Sequence, residues 1–301
     1  MSDNEPAVLV TGASTGLGQA SALRLAAAGF TVYAGVRSQA NGARLAAESR
    51  NIRPVLLDVT SNESIRLAGK LVREQTGEAG LHGLVNNAGI CVSAPMECVP
   101  LDELRAELEV NLIGTVAVTQ EFLPLLRMRP VDGAALAGRI VNVCSGVGRV
   151  AAPFLGPYAA SQFAKEGVSD ALRRELAPLS VSVSVVEPGA IMTPIWDKVA
   201  DTARRVLIAA PDGVANSYRQ MFESFVALNE KRARDSKTKP EAVASAVGHA
   251  MTARRPRTRY RVGPDSWGAT VAARMLPDRL LDAVIRRELA AAVPKRQEAR
   301  R

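Results

Sequence analysis

Short apolar runs alternate along the chain with longer stretches whose apolar positions recur at helical spacing. Ala7 to Val10 is apolar and meets a glycine-rich turn, and Thr15 to Ala28 is helical in pattern, closing at Gly29. Thr31 to Val36 alternates as a second strand. Pro54 to Leu57 makes a third and Gly83 to Val85 a fourth, each separated by a helical stretch. Long helices are predicted over Leu101 to Arg127 and Tyr158 to Leu179. They flank a fifth strand at Arg139 to Val143, and a sixth follows at Val181 to Val186. This alternation predicts an α/β fold, a Rossmann-like doubly wound parallel sheet.

The alternation stops after Pro188-Gly189 for about forty residues, through Trp196, Pro211 and Phe222 to Phe225. A helix begins near Pro240, where proline suits the first turn. We read a single domain over 1–301, with a dinucleotide-binding core at 6–194, a helical substrate lid at 195–238, and a C-terminal extension at 239–301. That extension is predicted to hold a last strand, Arg259 to Val262. A terminal helix from Leu276 to Ala292 then carries Leu280, Leu281, Val284, Ile285 and Leu289 at helical spacing.

Composition narrows the function classes. With 301 residues, 47% hydrophobic and 23% charged, the chain fits a globular enzyme with one substantial core. It has no apolar run of membrane-spanning length, and the opening Met1-Ser2-Asp3-Asn4-Glu5-Pro6 lacks the look of a leader, so the expected address is the cytoplasm with no membrane partner. Cys91, Cys98 and Cys144 have no metal spacing and read as reduced core thiols; His82 and His249 read as structural, and no metal is expected. The net charge of +8 collects in Lys231 to Arg234, in Arg254 to Arg257 and at the C-terminus, with no interleaved aromatics. That pattern argues for solvated basic faces and against nucleic acid.

The turn after the first strand reads Thr11-Gly12-Ala13-Ser14-Thr15-Gly16-Leu17-Gly18, where glycines let backbone N–H groups approach a pyrophosphate at a helix N-terminus. Farther on, Val141-Asn142-Val143-Cys144-Ser145 is followed thirteen residues after the serine by Tyr158 in Gly156-Pro157-Tyr158-Ala159-Ala160-Ser161-Gln162. The Thr-Gly-x-x-x-Gly-x-Gly spacing and the Ser-x12-Tyr spacing together resemble the short-chain dehydrogenase/reductase superfamily. Tyr33 to Arg37, Leu57 to Thr60 and Glu187 to Pro194 are similar to its hydroxysteroid and retinol dehydrogenase branch.

That resemblance implies a nicotinamide cofactor held by Gly12, Ser14, Thr15, Gly16, Leu17 and Gly18, with Asp58 and Val59 at the adenine and Asn87, Ala88 and Gly89 after the fourth strand. It also implies Pro188, Gly189, Ile191 and Thr193 at the nicotinamide side, beside Tyr158 and Gln162. An acidic residue at the end of the second strand favours NAD and a cation there favours NADP. Val36 stands at the acidic position and Arg37 follows it, so NADP is preferred over NAD. Homodimers or homotetramers through the two long helices are common in the family.

For the chemistry, the resemblance makes Tyr158 the acid/base, Ser145 the donor that polarises the reacting oxygen, and Asn111 the third polar member, supporting a water-linked relay. The fourth member departs from the pattern: the family has lysine where this chain has Gln162. A unit charge about 5 Å from the phenol is worth roughly 3 kcal/mol at an effective dielectric near 20, about two pKa units. Its loss should hurt alcohol oxidation, which needs tyrosinate, more than ketone reduction. Lys165, seven residues after Tyr158, lies about 10 Å farther along the helix and is expected at solvent or an interface.

The expected activity is NADP-dependent reduction of a bulky lipophilic ketone, or oxidation of the matching alcohol. Ile195, Trp196, Val199, Met221, Phe222 and Phe225 are the candidate lid contacts with that substrate. The alternative is a redox-neutral cyclase, isomerase or dehydratase, or a noncatalytic cofactor-binding protein, on the same fold.

Overall fold

The computed structural model describes residues 5–128 and 136–292; the basic C-terminus beyond lies outside them. Seven parallel strands form one sheet in the order β3-β2-β1-β4-β5-β6-β7. They are β1 (Ala7–Val10), β2 (Thr31–Val36), β3 (Ile52–Leu56), β4 (Gly83–Asn86), β5 (Gly138–Val143), β6 (Val181–Pro188) and β7 (Arg259–Val262). The order reverses between β1 and β4, where Val10 pairs with Ala34 on one side and Val85 on the other. In open α/β sheets such a switch point, at the carboxyl ends of the strands, is where a binding crevice opens.

Both faces of the sheet are covered, and the inner strands β1, β4 and β5 are buried along their whole length. On one face α1 (Gly16–Ala27) and α9 (Pro240–Thr252) bury Ala22, Leu25, Val243, Val247 and Met251 against Val8, Val10 and Val32. On the other, α3 (Asn62–Thr76), α5 (Gly114–Arg127) and α6 (Gly156–Leu176) bury Ile65, Val72, Val118, Phe122 and Leu176 against Leu9, Leu84 and Ile140. The remaining helix near this end of the sheet is α2 (Gln39–Ala46), which opens with Ser38 accepting from the Asn41 backbone N–H.

The structure refines the predicted elements in four places. The helix expected from Leu101 to Arg127 is α4 (Leu101–Leu108), a π-helical segment Glu109–Ile113, then α5. Widened turns of this kind occur frequently at functional sites. The helix at Tyr158 begins two residues earlier, with Pro157 in its first turn, and closes in a 3-10 turn Ala177–Leu179. The segment read as a lid is two helices, α7 (Ile195–Ala209) and α8 (Asp212–Asp235), whose inner faces meet in a third cluster. There Phe154 stands edge-on to Phe222 and Phe225, each at 5.3 Å between centroids. Finally, α10 (Pro264–Met275) precedes the terminal helix α11 (Asp278–Ala292), in a stretch where the sequence pattern predicted no element. No helix among the described residues is long and apolar enough to cross a membrane.

Candidate active site

A cleft of 1770 Å³ opens over the carboxyl ends of the strands and runs from the glycine-rich turn to the lid. At one end Gly12 and Gly16 adopt positive φ, 62° and 57°, which side-chain-bearing residues rarely tolerate. A Cβ on Gly18 would fall 2.2 Å from the Gly12 carbonyl, so the helix can start here only without one. The turn is tied to the end of β4. The Asn87 amide donates to the carbonyls of Thr11 and Gly12 at 3.0 and 3.2 Å, and the Thr11 hydroxyl accepts from the backbone N–H groups of Asn87 and Ala88. The result is a rigid backbone surface at a helix N-terminus, suited to a pyrophosphate. Gly12, Ser14, Thr15, Gly16 and Leu17 line the cleft, as do Asn87, Ala88 and Gly89; Gly18 lies behind it as a packing residue.

Arg37 is exposed at the mouth of this end, beside Asp58 and Val59. Asp58 accepts from the Thr60 backbone N–H and hydroxyl at 3.0 and 2.7 Å, and these bonds, with Arg37 nearby, hold its carboxyl below the usual range. A second cation escaped the sequence reading: Arg44 on α2 donates to the Ser14 carbonyl at 2.8 Å, bracing the glycine turn from its outer side. It stands one helical turn and a half past Ser38, a spacing that marks it in retrospect.

At the other end, Pro188, Gly189, Ile191 and Thr193 follow β6 along the cleft. They are held by α10: the Asp265 carboxylate accepts from the Ala190 backbone N–H at 2.5 Å and the Ser266 hydroxyl donates to the Glu187 carbonyl at 2.7 Å. A Cβ on Gly189 would collide with that Asp265 carboxylate at 1.9 Å. Glycine turns, a carboxylate set beside a cation and this anchored strand exit therefore fit a dinucleotide along the cleft.

Ser145 lies two residues past β5 and caps a 3-10 turn Gly146–Gly148, accepting from the Val147 backbone N–H at 3.2 Å. Tyr158 faces it from the first turn of α6, and a hydrogen bond from Ser145 favours the ionised phenol. Burial wins over that bond and, helped by Cys91 and Glu107, drives the phenol pKa far above its ordinary value. Asn111 sits in the π-helical segment with its side chain fully engaged: its amide exchanges bonds with Ile90 N–H and carbonyl, both 2.9 Å, and donates to Glu107 and Ser161. It thus clamps the loop after β4 to α4 and α6. Glu107 was not foreseen. It is fully buried, receives Val92 N–H at 2.6 Å, and burial pushes its carboxyl up to about 8.

Two expectations are corrected here. Lys165 is not at solvent or an interface. It is 1% exposed, with Nζ donating to the Val143 carbonyl at 3.1 Å and the Asn86 carbonyl at 3.5 Å. Helical side chains lean toward the N-terminus, which carries the ammonium back up to the carboxyl ends of β5 and β4. The lid contacts also divide: Ile195, Trp196, Val199 and Phe225 line the cleft, whereas Phe222 is core and Met221 is 41% exposed. Cys91 and the buried Cys144 likewise line the cleft, whereas Cys98 is buried away from it. The two histidines have structural partners, His82 at the Met251 carbonyl and His249 at the Tyr260 hydroxyl.

Behind Ser145, a buried ionic network fixes its turn. Arg149 reaches Glu166 at 2.5 Å and Glu187 at 2.9 Å; Arg259 joins both carboxylates and Asp170, and Arg261 joins Glu187. Burial, then the neighbouring Glu187, pushes the Glu166 carboxyl up to about 7.

Comparison with known proteins agrees with this geometry. The short chain dehydrogenase family model matches residues 6–204. The chain is 40% identical to a 3-amino-tetrahydro-pyrrolizinone reductase of Xenorhabdus hominickii, covering 86% of this chain and 87% of that one. It is 36% identical to retinol dehydrogenase 5 of Mus musculus over 92% and 87% of the two chains. Among solved structures, a short chain dehydrogenase from Burkholderia cenocepacia in complex with NADP superposes with a TM-score of 0.69 at 26% identity, covering 95% of this chain and 98% of that one.

Proposed function

Because this chain belongs to the short-chain dehydrogenase family of oxidoreductases, in its retinol and hydroxysteroid dehydrogenase branch, we propose that it is an NADP-dependent reductase of bulky lipophilic ketones. One observation carries the direction: Tyr158 lines the cleft beside Ser145, and burial pushes its phenol pKa up, toward the neutral form that can serve as an acid. A neutral phenol gives a proton and does not take one. The reductase name of the Xenorhabdus relative supports the same direction.

When bound, the reduced nicotinamide supplies a hydride to the carbonyl carbon. The protein's part is to hold the carbonyl oxygen between Ser145 and Tyr158, so that the serine hydroxyl donates to the developing alkoxide and the phenol releases its proton to it. Ketone, hydride and proton then sum to the alcohol. Ile195, Trp196, Val199 and Phe225 exclude water and offer apolar surface to the rest of the substrate. Arg37 at the adenosine end favours the 2′-phosphate of NADP, with Asp58 left for the adenine.

The test follows nicotinamide absorbance with NADPH and a panel of lipophilic ketones. Turnover is expected from the wild type, with a loss of about a hundredfold or more in Tyr158→Phe. Gln162 favours a second reading, a redox-neutral or noncatalytic protein on the same fold. Absence of wild-type turnover together with turnover by Gln162→Lys would decide for that reading.

A further inference from the structure

Lysine is almost never fully buried without a charged or hydrogen-bonding reason. Lys165 is 1% exposed, in the middle of α6, and burial pushes its ammonium pKa down. Its bonded partners among the described residues are two backbone carbonyls, of Val143 at the end of β5 and Asn86 at the end of β4. Cys144, on the strand side, and Glu166, on its own helix, are the titratable groups that favour its charged form. An ammonium has three donors, so one N–H is left after both carbonyls are served. The residue also lines the cleft, with its ammonium at the carboxyl ends of β4 and β5.

One turn earlier on α6, Gln162 shows the opposite imbalance. It is 4% exposed, lines the same cleft, and its Oε1 has no hydrogen-bond partner among the described residues. Native proteins rarely leave a buried acceptor unmet. A spare donor and an unmet acceptor on one helix face, at the carboxyl ends of β4 and β5, ask for a ligand group that both accepts and donates. A sugar diol does this, since each hydroxyl has one proton and two lone pairs.

We propose that Lys165 and Gln162 act as a split pair on the ribose diol of the nicotinamide half, with Lys165 supplying the positive charge and Gln162 the acceptor. This rests on the dinucleotide reading above. The charge missing at position 162 is thereby returned from three residues farther along. The ammonium is seated on the strand ends, on the carbonyls of Val143 and Asn86, so its charge is directed at the cofactor.

Calorimetry with two probes tests this: NADP+ itself, and adenosine 2′,5′-bisphosphate, which lacks the nicotinamide ribose. Lys165→Met is expected to raise the Kd of NADP+ about tenfold to a hundredfold, the loss of a charge-assisted hydrogen bond, while the bisphosphate binds as in the wild type. Adding Gln162→Lys to Lys165→Met should restore NADP+ affinity. Unchanged NADP+ affinity in Lys165→Met overturns the proposal. If that variant fails to bind even the bisphosphate, it has misfolded, and Lys165→Gln, which keeps polar partners without the charge, decides by the same two titrations. If the wild type ignores the bisphosphate, the NADP reading has failed separately, and NAD+ with AMP then serve as the probe pair.

Discussion

Arg149→Met should cost stability in a way that depends on pH, and the network around it sets the size. Arg149, Arg259 and Arg261 face Glu166, Glu187 and Asp170, Arg173 also pairs with Asp170, and Glu187 is 0% exposed. Removing one partner of a buried pair costs about 3–5 kcal/mol because a charge is left uncompensated. Here Glu166 keeps Arg259, and Glu187 keeps Arg259 and Arg261, so the lower end applies, about 3 kcal/mol at pH 8.

The pH dependence comes from Glu166, whose carboxyl is already raised to about 7 from 4.5. For a carboxyl raised on folding, the stability it confers is complete below its unfolded pKa and is lost as pH climbs through the folded one. Losing an adjacent cation raises the folded value by about one further unit, which carries the loss to higher pH. The deficit of the variant is then about 1 kcal/mol larger at pH 8 than at pH 5.5, where the acid is protonated in both folded proteins. Urea titrations at the two pH values measure it. Equal deficits at both, or no deficit at either, would refute the electrostatic account; Arg149→Lys, which keeps charge but not the fork, should recover roughly half.

Arg37→Ala should weaken NADP(H) about tenfold or more and leave NAD(H) unchanged, by removal of a charge-assisted contact to the 2′-phosphate; fluorescence titration of both reduced nucleotides checks this, and parallel losses would reject it. Phe222→Ala removes a fully buried ring packed on Phe154, a change worth about 3–5 kcal/mol in a well-packed core. Because that core lies under the lid, hydrogen exchange should quicken across α7 and α8 and leave the sheet protected, whereas uniform quickening would show that the lid is no separate unit.

The sheet was legible because its strands are short runs rich in Val, Leu and Ile, or alternate as β7 does, and are bounded by glycines, prolines or polar turns. Thr31 to Val36 and Arg259 to Val262 fall where the pattern puts them, and the glycine turn and the Ser145 to Tyr158 spacing lead to one cleft. The lid was harder. α7 and α8 bury only a narrow stripe, including Val199, Val206 and Phe225, and their many charged residues obscure the period. Lys165 was misjudged from axial rise alone, since a four-carbon stem leaning toward the helix N-terminus spans much of the gap. Glu107 and the Arg149 network had little local signal, because apart from Asn111, four residues from Glu107, partners such as Val92, Glu166 and Glu187 lie from fifteen to 93 residues away and only the fold joins them.

The Asp265 contact to Ala190 has a consequence for where this protein begins and ends as a working unit. The short chain dehydrogenase model stops at residue 204, yet the backbone that follows β6 is stitched in place by a helix sixty residues beyond that limit. The family model's match and the mechanical support of the cleft therefore have different borders in this molecule. The half of the cleft beside Pro188 to Thr193 is held from a part of the chain outside the family model's match, so a change there can shift that backbone while every motif inside the match stays intact.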